Sequence, residues 1–262
     1  MKKTVREIAT VIETFAPKGL QESYDNAGLQ IGHPDMEVTA VMLCLDVTEE
    51  ILEEALERRC NLIVSHHPLI FKGLKEITGR TATERIVEKA IRENVAIYSS
   101  HTNLDSAKEG VSYEMAHLLN LCNLKVLDPK PADNETGLGI VGDVQPTPKI
   151  EFLRKVKDTF KVKALRYSGQ SPQLVVRKVA VCSGSGASLI GDAINAGADI
   201  IVTGDVKYHD FTSYGLDIII ADIGHFESEI ITKVIFSRII REALPGVETY
   251  YSERETNPIK YL

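Results

Sequence analysis

The chain has 262 residues, 44% hydrophobic and 26% charged, enough to bury one large core or two smaller ones. Its net charge is −7 and its basic residues are dispersed among acidic ones, which argues against a nucleic-acid surface. No apolar run approaches the roughly 18–20 residues needed to cross a bilayer, and the first residues lack a long apolar stretch, so a cytoplasmic protein without membrane contact is expected.

From Val38 onward, strand and helix signals alternate. Residues 40–45 read as a strand, and Asp46 or Thr48 caps a helix over 49–56. The next strand lies in Asn61-Leu-Ile-Val-Ser-His-His-Pro68. Its continuous apolar run is that of a strand buried on both faces, and Pro68 stops the ladder at the histidines. Within a strand, adjacent side chains point to opposite faces; at a strand end, His66 and His67 can reach one site. Residues 83–93 have helical spacing, 95–99 form a strand leading into Ser100-His-Thr-Asn-Leu-Asp105, and 111–120 read as a helix. Residues 125–147 are rich in Pro, Gly, Asp and Asn, marking a boundary or excursion between two lobes.

The second half repeats the scheme. Strands are expected at 178–182, 199–203 and 217–222, with a helix over 187–196 and a long helix from about 224 to 243. A shift of 138 positions lays Cys44 on Cys182 and Leu62-Ile-Val-Ser65 on Ile200-Ile-Val-Thr203. A shift of 124 lays His101 and Asp105 on His225 and Glu229. Each half then supplies one His-x-x-x-acid pair, from an internal duplication or from the general similarity of βαβ units. The expected fold is α/β with two lobes.

Four of the seven histidines, His66, His67, His101 and His225, follow strands that read as parallel, where ligands bind in open α/β sheets. His225 and Glu229 share a helical face; His101 and Asp105 have the same spacing, with Asn103 weakening the helical reading there. Mixed imidazole and carboxylate donors suit borderline divalent ions such as zinc, manganese, iron, cobalt or nickel. Cys44 and Cys182 lie in apolar runs and read as buried thiols. His33 and His117 carry no motif. Ser183-Gly-Ser-Gly186 reads either as an anion cradle on backbone amides or as a tight strand-to-helix connection.

Five motifs in order, Tyr24-Asp-Asn-Ala-Gly-Leu-Gln-Ile-Gly32, Ser65-His-His-Pro-Leu-Ile-Phe71, Ser100-His-Thr-Asn-Leu-Asp105, Thr203-Gly-Asp-Val-Lys-Tyr-His209 and Gly224-His-Phe-Glu-Ser-Glu229, together with Asn257-Pro258, resemble the Nif-three-like dinuclear metal family. Many of its members are called GTP cyclohydrolase I type 2 homologues. Tyr24 stands where a tryptophan is usual, and the inserted central domain of longer members is absent. The resemblance implies two divalent ions per subunit, one on His66, Asp105 and Glu229 and one on His67, His225 and Glu229, with Glu229 bridging. It also implies two interlinked lobes, 1–125 plus 222–262 and 126–221, with the dinuclear metal site in the cleft between them, and a toroidal homohexamer. His101 is the candidate catalytic residue, as proton carrier, or else a histidine fixing its own loop. Asp25 and Asn26 reach the site or form a turn, and Thr203, Asp205 and His209 line the cleft.

The expected activity is metal-dependent hydrolysis, with hydrolytic opening of the guanine imidazole ring favoured. A phosphatase or phosphodiesterase and a non-catalytic metal-binding scaffold stand as alternatives. A nucleotide or small phosphorylated substrate would meet Lys72, Lys75, Arg80 or Lys207, each of which also reads as an ordinary solvated side chain.

Overall fold

Threonine hydroxyls set the helix starts. Thr4 forms a capping box with Glu7, while Thr48 and Thr81 accept from the amides of Ile51 and Glu84. The computed structural model describes residues 3–131, 133–169 and 174–262. The chain forms two units, Met1–Leu104 with Ile230–Thr256 and Asp105–Glu229 with Asn257–Leu262. The boundaries expected from composition, 125/126 and 221/222, differ from the crossings at 104/105 and 229/230.

The first unit runs through α1 (Val5–Phe15), β1 (Gly28–Ile31), β2 (Val41–Cys44), α2 (Glu49–Glu57), β3 (Leu62–Ser65), α3 (Ala82–Arg92) and β4 (Ala96–Ser99). Helix α4 (Thr102–Ser106) carries the chain across the boundary. The second unit contains α5 (Val111–Leu118), β5 (Cys122–Lys130), β6 (Asp133–Pro148), α6 (Lys149–Thr159), β7 (Arg166–Tyr167), β8 (Val175–Val181) and α7 (Ile190–Asn195). It continues with β9 (Ile200–Thr203), α8 (Tyr208–Tyr214), β10 (Ile219–Asp222) and α9 (His225–Glu229). The chain then returns to the first unit for α10 (Thr232–Ala243) and β11 (Thr249–Tyr251).

One unit holds a sheet of order β1-β4-β3-β2-β11, the other a sheet of order β5-β6-β8-β9-β10-β7. Strands β2, β3 and β4 are parallel, with β1 antiparallel beside β4; β8, β9 and β10 are parallel, with β7 antiparallel beside β10. The order β1-β4-β3-β2 is therefore repeated as β7-β10-β9-β8, an arrangement shared strand for strand between the two halves. Every residue of β2, β3 and β4 is buried, as parallel strands covered on both faces require. Met42, Cys44, Ile63 and Ile97 pack with Ile51, Leu52 and Ala55 of α2 and Ile86, Val87 and Ala90 of α3.

Two expectations change. Residues 125–130 and 133–147 lie in the long antiparallel strands β5 and β6. Gly137 there has φ +143, and a Cβ would lie 2.1 Å from the Asp128 carbonyl oxygen, so this glycine serves close strand approach instead of a turn. The long helix expected from about 224 to 243 is broken into α9 and α10, where the chain passes between units at Glu229 and Ile230.

Glu54 pins the returning C-terminal segment. Its buried carboxylate accepts from the Ser252 hydroxyl at 2.6 Å and the Glu253 and Arg254 amides at 3.0 and 3.2 Å, with Arg58 at 3.2 Å. Burial alone would raise its pKa, but the bonds from Ser252, Glu253 and Arg254 and the Arg58 charge outweigh it and hold the carboxyl below its usual range. The stabilisation is full above the ordinary carboxylate range and is lost as pH falls through the depressed folded value. Glu54→Gln is expected to cost about 1–3 kcal/mol at pH 7 and to flatten the loss of stability between pH 5 and pH 3. Urea unfolding across that interval reads both effects, and parallel acid limbs in the two proteins would contradict the assignment.

Candidate metal centre

Parallel register builds the first half of the site. Cys44 pairs with Ser65 and Ser65 with Ser99, so two residues beyond the pairing Asp46, His67 and His101 stand in one row. The ladder continues past the strand ends, with the His66 amide donating to the Cys44 carbonyl and the His67 amide to the Leu45 carbonyl. His66, His67 and His101 each bring one ring nitrogen within 4.8 Å of the others. Their ring centroids are 5.2–5.4 Å apart.

Each imidazole is held at Nδ1 by an oxygen: His66 by the Ser100 carbonyl at 2.9 Å, His67 by Asp46 at 2.8 Å and His101 by Asp25 at 2.8 Å. A carbonyl or a carboxylate accepts, so Nδ1 donates and the lone pair of the neutral ring falls on Nε2. Asp25 also takes the Thr102 amide at 3.0 Å and the Thr102 hydroxyl. Burial would raise the Asp25 pKa, yet the bonds from His101 and Thr102 hold it well below the usual carboxylate range.

The second unit assembles the acids. α4 does form, despite Asn103, and the Asp105 carboxylate accepts from the Ser183 hydroxyl at 2.8 Å. Asp105 and Glu229 are both buried, with carboxylate oxygens within 4.8 Å of each other. His225 has the same arrangement as the other three histidines. Its Nδ1 donates to Asp205 at 2.7 Å, and its Nε2 lies 2.9 Å from Glu229. Burial would lower the His225 pKa, but Glu229 and then Asp205 lift it to about 9. Burial first, then Asp105 and Glu229, pushes the Cys182 thiol well above its usual value, so it is a neutral buried thiol.

The remaining expectations sort plainly. In the Ser183-Gly-Ser-Gly186 turn, the amides of Ser183, Gly184 and Gly186 donate to the hydroxyls of Ser112, Ser228 and Thr203, so the turn is a tight connection with these three amides already bonded to protein. Thr203 belongs to that network, His209 stacks edge-on with Tyr208 at 5.5 Å, and His117 meets Glu109 at 2.9 Å. Asn26 binds the Ile70 carbonyl. Thr48 caps α2, which leaves Asp46 to His67. Sequence reasoning misses the roles of Asp46 and Ser183; pairing the strand ends in parallel register is the signal that reveals Asp46.

A sequence comparison places residues 3–258 in the Duf34/NIF3 (NGG1p interacting factor 3) family, and the chain belongs to it. It is 36% identical over 263 residues to a GTP cyclohydrolase 1 type 2 homolog of Clostridium perfringens, covering 98% of this chain and 99% of that protein. A protein of the same name in Clostridium acetobutylicum is 35% identical over the full length of both. The fold matches a Staphylococcus aureus hypothetical protein with TM-score 0.92 at 26% identity, and a Bacillus cereus protein related to NIF3 with TM-score 0.91 at 27% identity, each over all of both chains.

Gly184 offers a local test of this packing. It has φ +58, and a Cβ would lie 2.2 Å from Glu229 Oε1. Gly184→Ala is expected to destabilise by about 1–3 kcal/mol. Gly191→Ala, in α7 with nothing within 4 Å, should instead stabilise by about 0.5–1 kcal/mol. Chemical denaturation of the two variants reads the difference, and equal effects would refute the steric role.

Proposed function

We propose that this is a dinuclear metal-dependent hydrolase, in which His66, Asp105 and Glu229 hold one divalent cation and His67, His225 and Glu229 hold the second. The observation that carries the reading is the oxygen on Nδ1 of every candidate histidine, the arrangement that fixes the tautomer of metal-ligating imidazoles. The imidazole and carboxylate set fits zinc, manganese, iron, cobalt or nickel. When bound, such a pair supplies electrophilic activation of a substrate oxygen and a lowered pKa for water.

The protein's own groups do the remainder. Asp25 holds His101 so that its Nε2 can accept and return a proton, which makes His101 the proton carrier of the proposal. The names of the Clostridium relatives support hydrolytic opening of the guanine imidazole ring as the reaction: water adds at C8 and the ring opens, with formate leaving after further steps. The homohexamer belongs to the same proposal.

Two measurements test it. Metal analysis after reconstitution is expected to find two ions per chain in the wild type and fewer in Glu229→Gln. Asp46→Ala, which strips the acceptor from His67 Nδ1, should weaken metal affinity about 10–100-fold while the protein stays folded. Incubation with GTP should yield the ring-opened product from wild type and not from Glu229→Gln. Phosphate release alone would replace the cyclohydrolase by a phosphoesterase, and bound metal without any turnover would leave a scaffold.

A further inference from the structure

Two large aromatic rings are exposed beside the imidazole cluster. Tyr24 is 64% exposed and Phe71 43%, and they meet edge-on at 6.4 Å. Phe71 in turn lies edge-on to His101 at 6.1 Å, and His101 is edge-on to His66 and His67. The contacts run without a gap from solvent to the three histidines, all within the first unit.

These rings are held in place although they are exposed. Tyr24 precedes Asp25, which is bonded to His101 and Thr102. Phe71 follows Ile70, whose carbonyl accepts from Asn26 at 2.6 Å and whose amide donates to Gln30 at 2.7 Å. The far end of the same loop is fixed by the buried Glu84 carboxylate, which accepts from the Thr78 amide at 2.9 Å, the Thr78 hydroxyl at 3.0 Å and the Arg80 amide at 3.1 Å. Between these anchors, residues 71–78 are all exposed, including Leu74 and Ile77.

The loop also carries charge. Arg80 pairs with Glu76 at 3.1 Å, whereas Lys72 and Lys75 have no acidic partner among the described residues. In a chain of net charge −7, two uncompensated lysines beside an aromatic lip favour an anionic group on a ligand whose ring the lip can stack.

We infer that Tyr24 and Phe71 form a stacking lip for the planar heteroaromatic ring of a phosphorylated ligand, with Lys72 and Lys75 facing its phosphate. The inference deepens the hydrolase reading, on which it rests, by assigning substrate recognition to named residues outside the donor set. Aromatic faces accept any base, so the lip selects for a ring, and the lysines select for charge.

The chain contains no tryptophan, so Tyr24→Trp places a single indole reporter on the lip. Its emission is titrated with GMP, guanosine, ribose 5-phosphate and inorganic phosphate, in metal-free and metal-loaded protein. Saturable quenching is expected with GMP, weaker quenching with guanosine, and none with the two ligands that lack a base. Phe71→Ala in the same background should weaken GMP binding roughly tenfold to a hundredfold. The double variant Lys72→Ala/Lys75→Ala should bring GMP and guanosine together. Metal stoichiometry, read separately, should not change in any of these variants.

Absence of saturable quenching by GMP overturns the inference, as does quenching that Phe71→Ala leaves unaltered. Emission that changes with protein concentration alone also overturns it, by assigning the lip to contact between copies of the chain. Two bound ions without stacking would remove the lip and leave the metal centre standing. Stacking without metal uptake would do the reverse.

Discussion

A neutral imidazole has one lone pair to offer, and whatever holds its other nitrogen decides where that lone pair points. The organisation of both units follows from this constraint. His66, His67, His101 and His225 each meet an oxygen at Nδ1 between 2.7 and 2.9 Å, supplied by Ser100, Asp46, Asp25 and Asp205 respectively. Three of those oxygens, on Asp46, Ser100 and Asp205, lie just past the end of a strand, and Asp25 lies on the segment leading into β1. The parallel pairing that aligns Asp46 with His67 is the same pairing that buries Met42 and Ile63. Packing of the core and aim of the imidazoles are therefore one requirement.

The repeated strand order explains why the same construction occurs twice. In each unit, a central parallel strand is flanked by two others, and a five-residue helix follows the one that borders the antiparallel strand. α4 begins after β4 and α9 after β10, each accompanied by a histidine at its start and, four positions on, an acid. The halves differ in emphasis. The first gathers three imidazoles, whereas the second gathers two carboxylates and one imidazole.

Much of this is legible in the order of the residues. Apolar runs closed by His66, His67 and Pro68 mark the strand ends, and the four-residue spacing of His225 and Glu229 implies a shared helical face that α9 realises. The family resemblance supplies the pairing of donors, which spacing cannot. What stays hidden depends on partners remote in sequence. Asp46 resembles a helix cap because cap chemistry is local, while its bond to His67 depends on β2 lying beside β3. The β5–β6 hairpin is obscured by its own Pro, Gly, Asp and Asn content, since a glycine needed for close strand approach looks in sequence like one needed for a turn. The crossings at 104/105 and 229/230 fall inside or beside short helices, where composition shows no break.

Asp105 and Glu229 are buried in one unit with oxygens within 4.8 Å, which gathers acceptor oxygens where a cation could be held. Burial first, and then these carboxylates, drive the thiol of Cys182 toward its neutral form, while Glu229 and then Asp205 outweigh burial at His225 and favour its cationic form. The carboxylates' share of both effects has one sign, favouring positive charge at His225 and disfavouring a thiolate at Cys182. The proton on His225 partly offsets the carboxylates, although it uses the nitrogen that a metal would take. A divalent cation would neutralise more charge at the same place and release that proton. Such an ion would suit the carboxylates of this unit and the Nε2 of His225 alike.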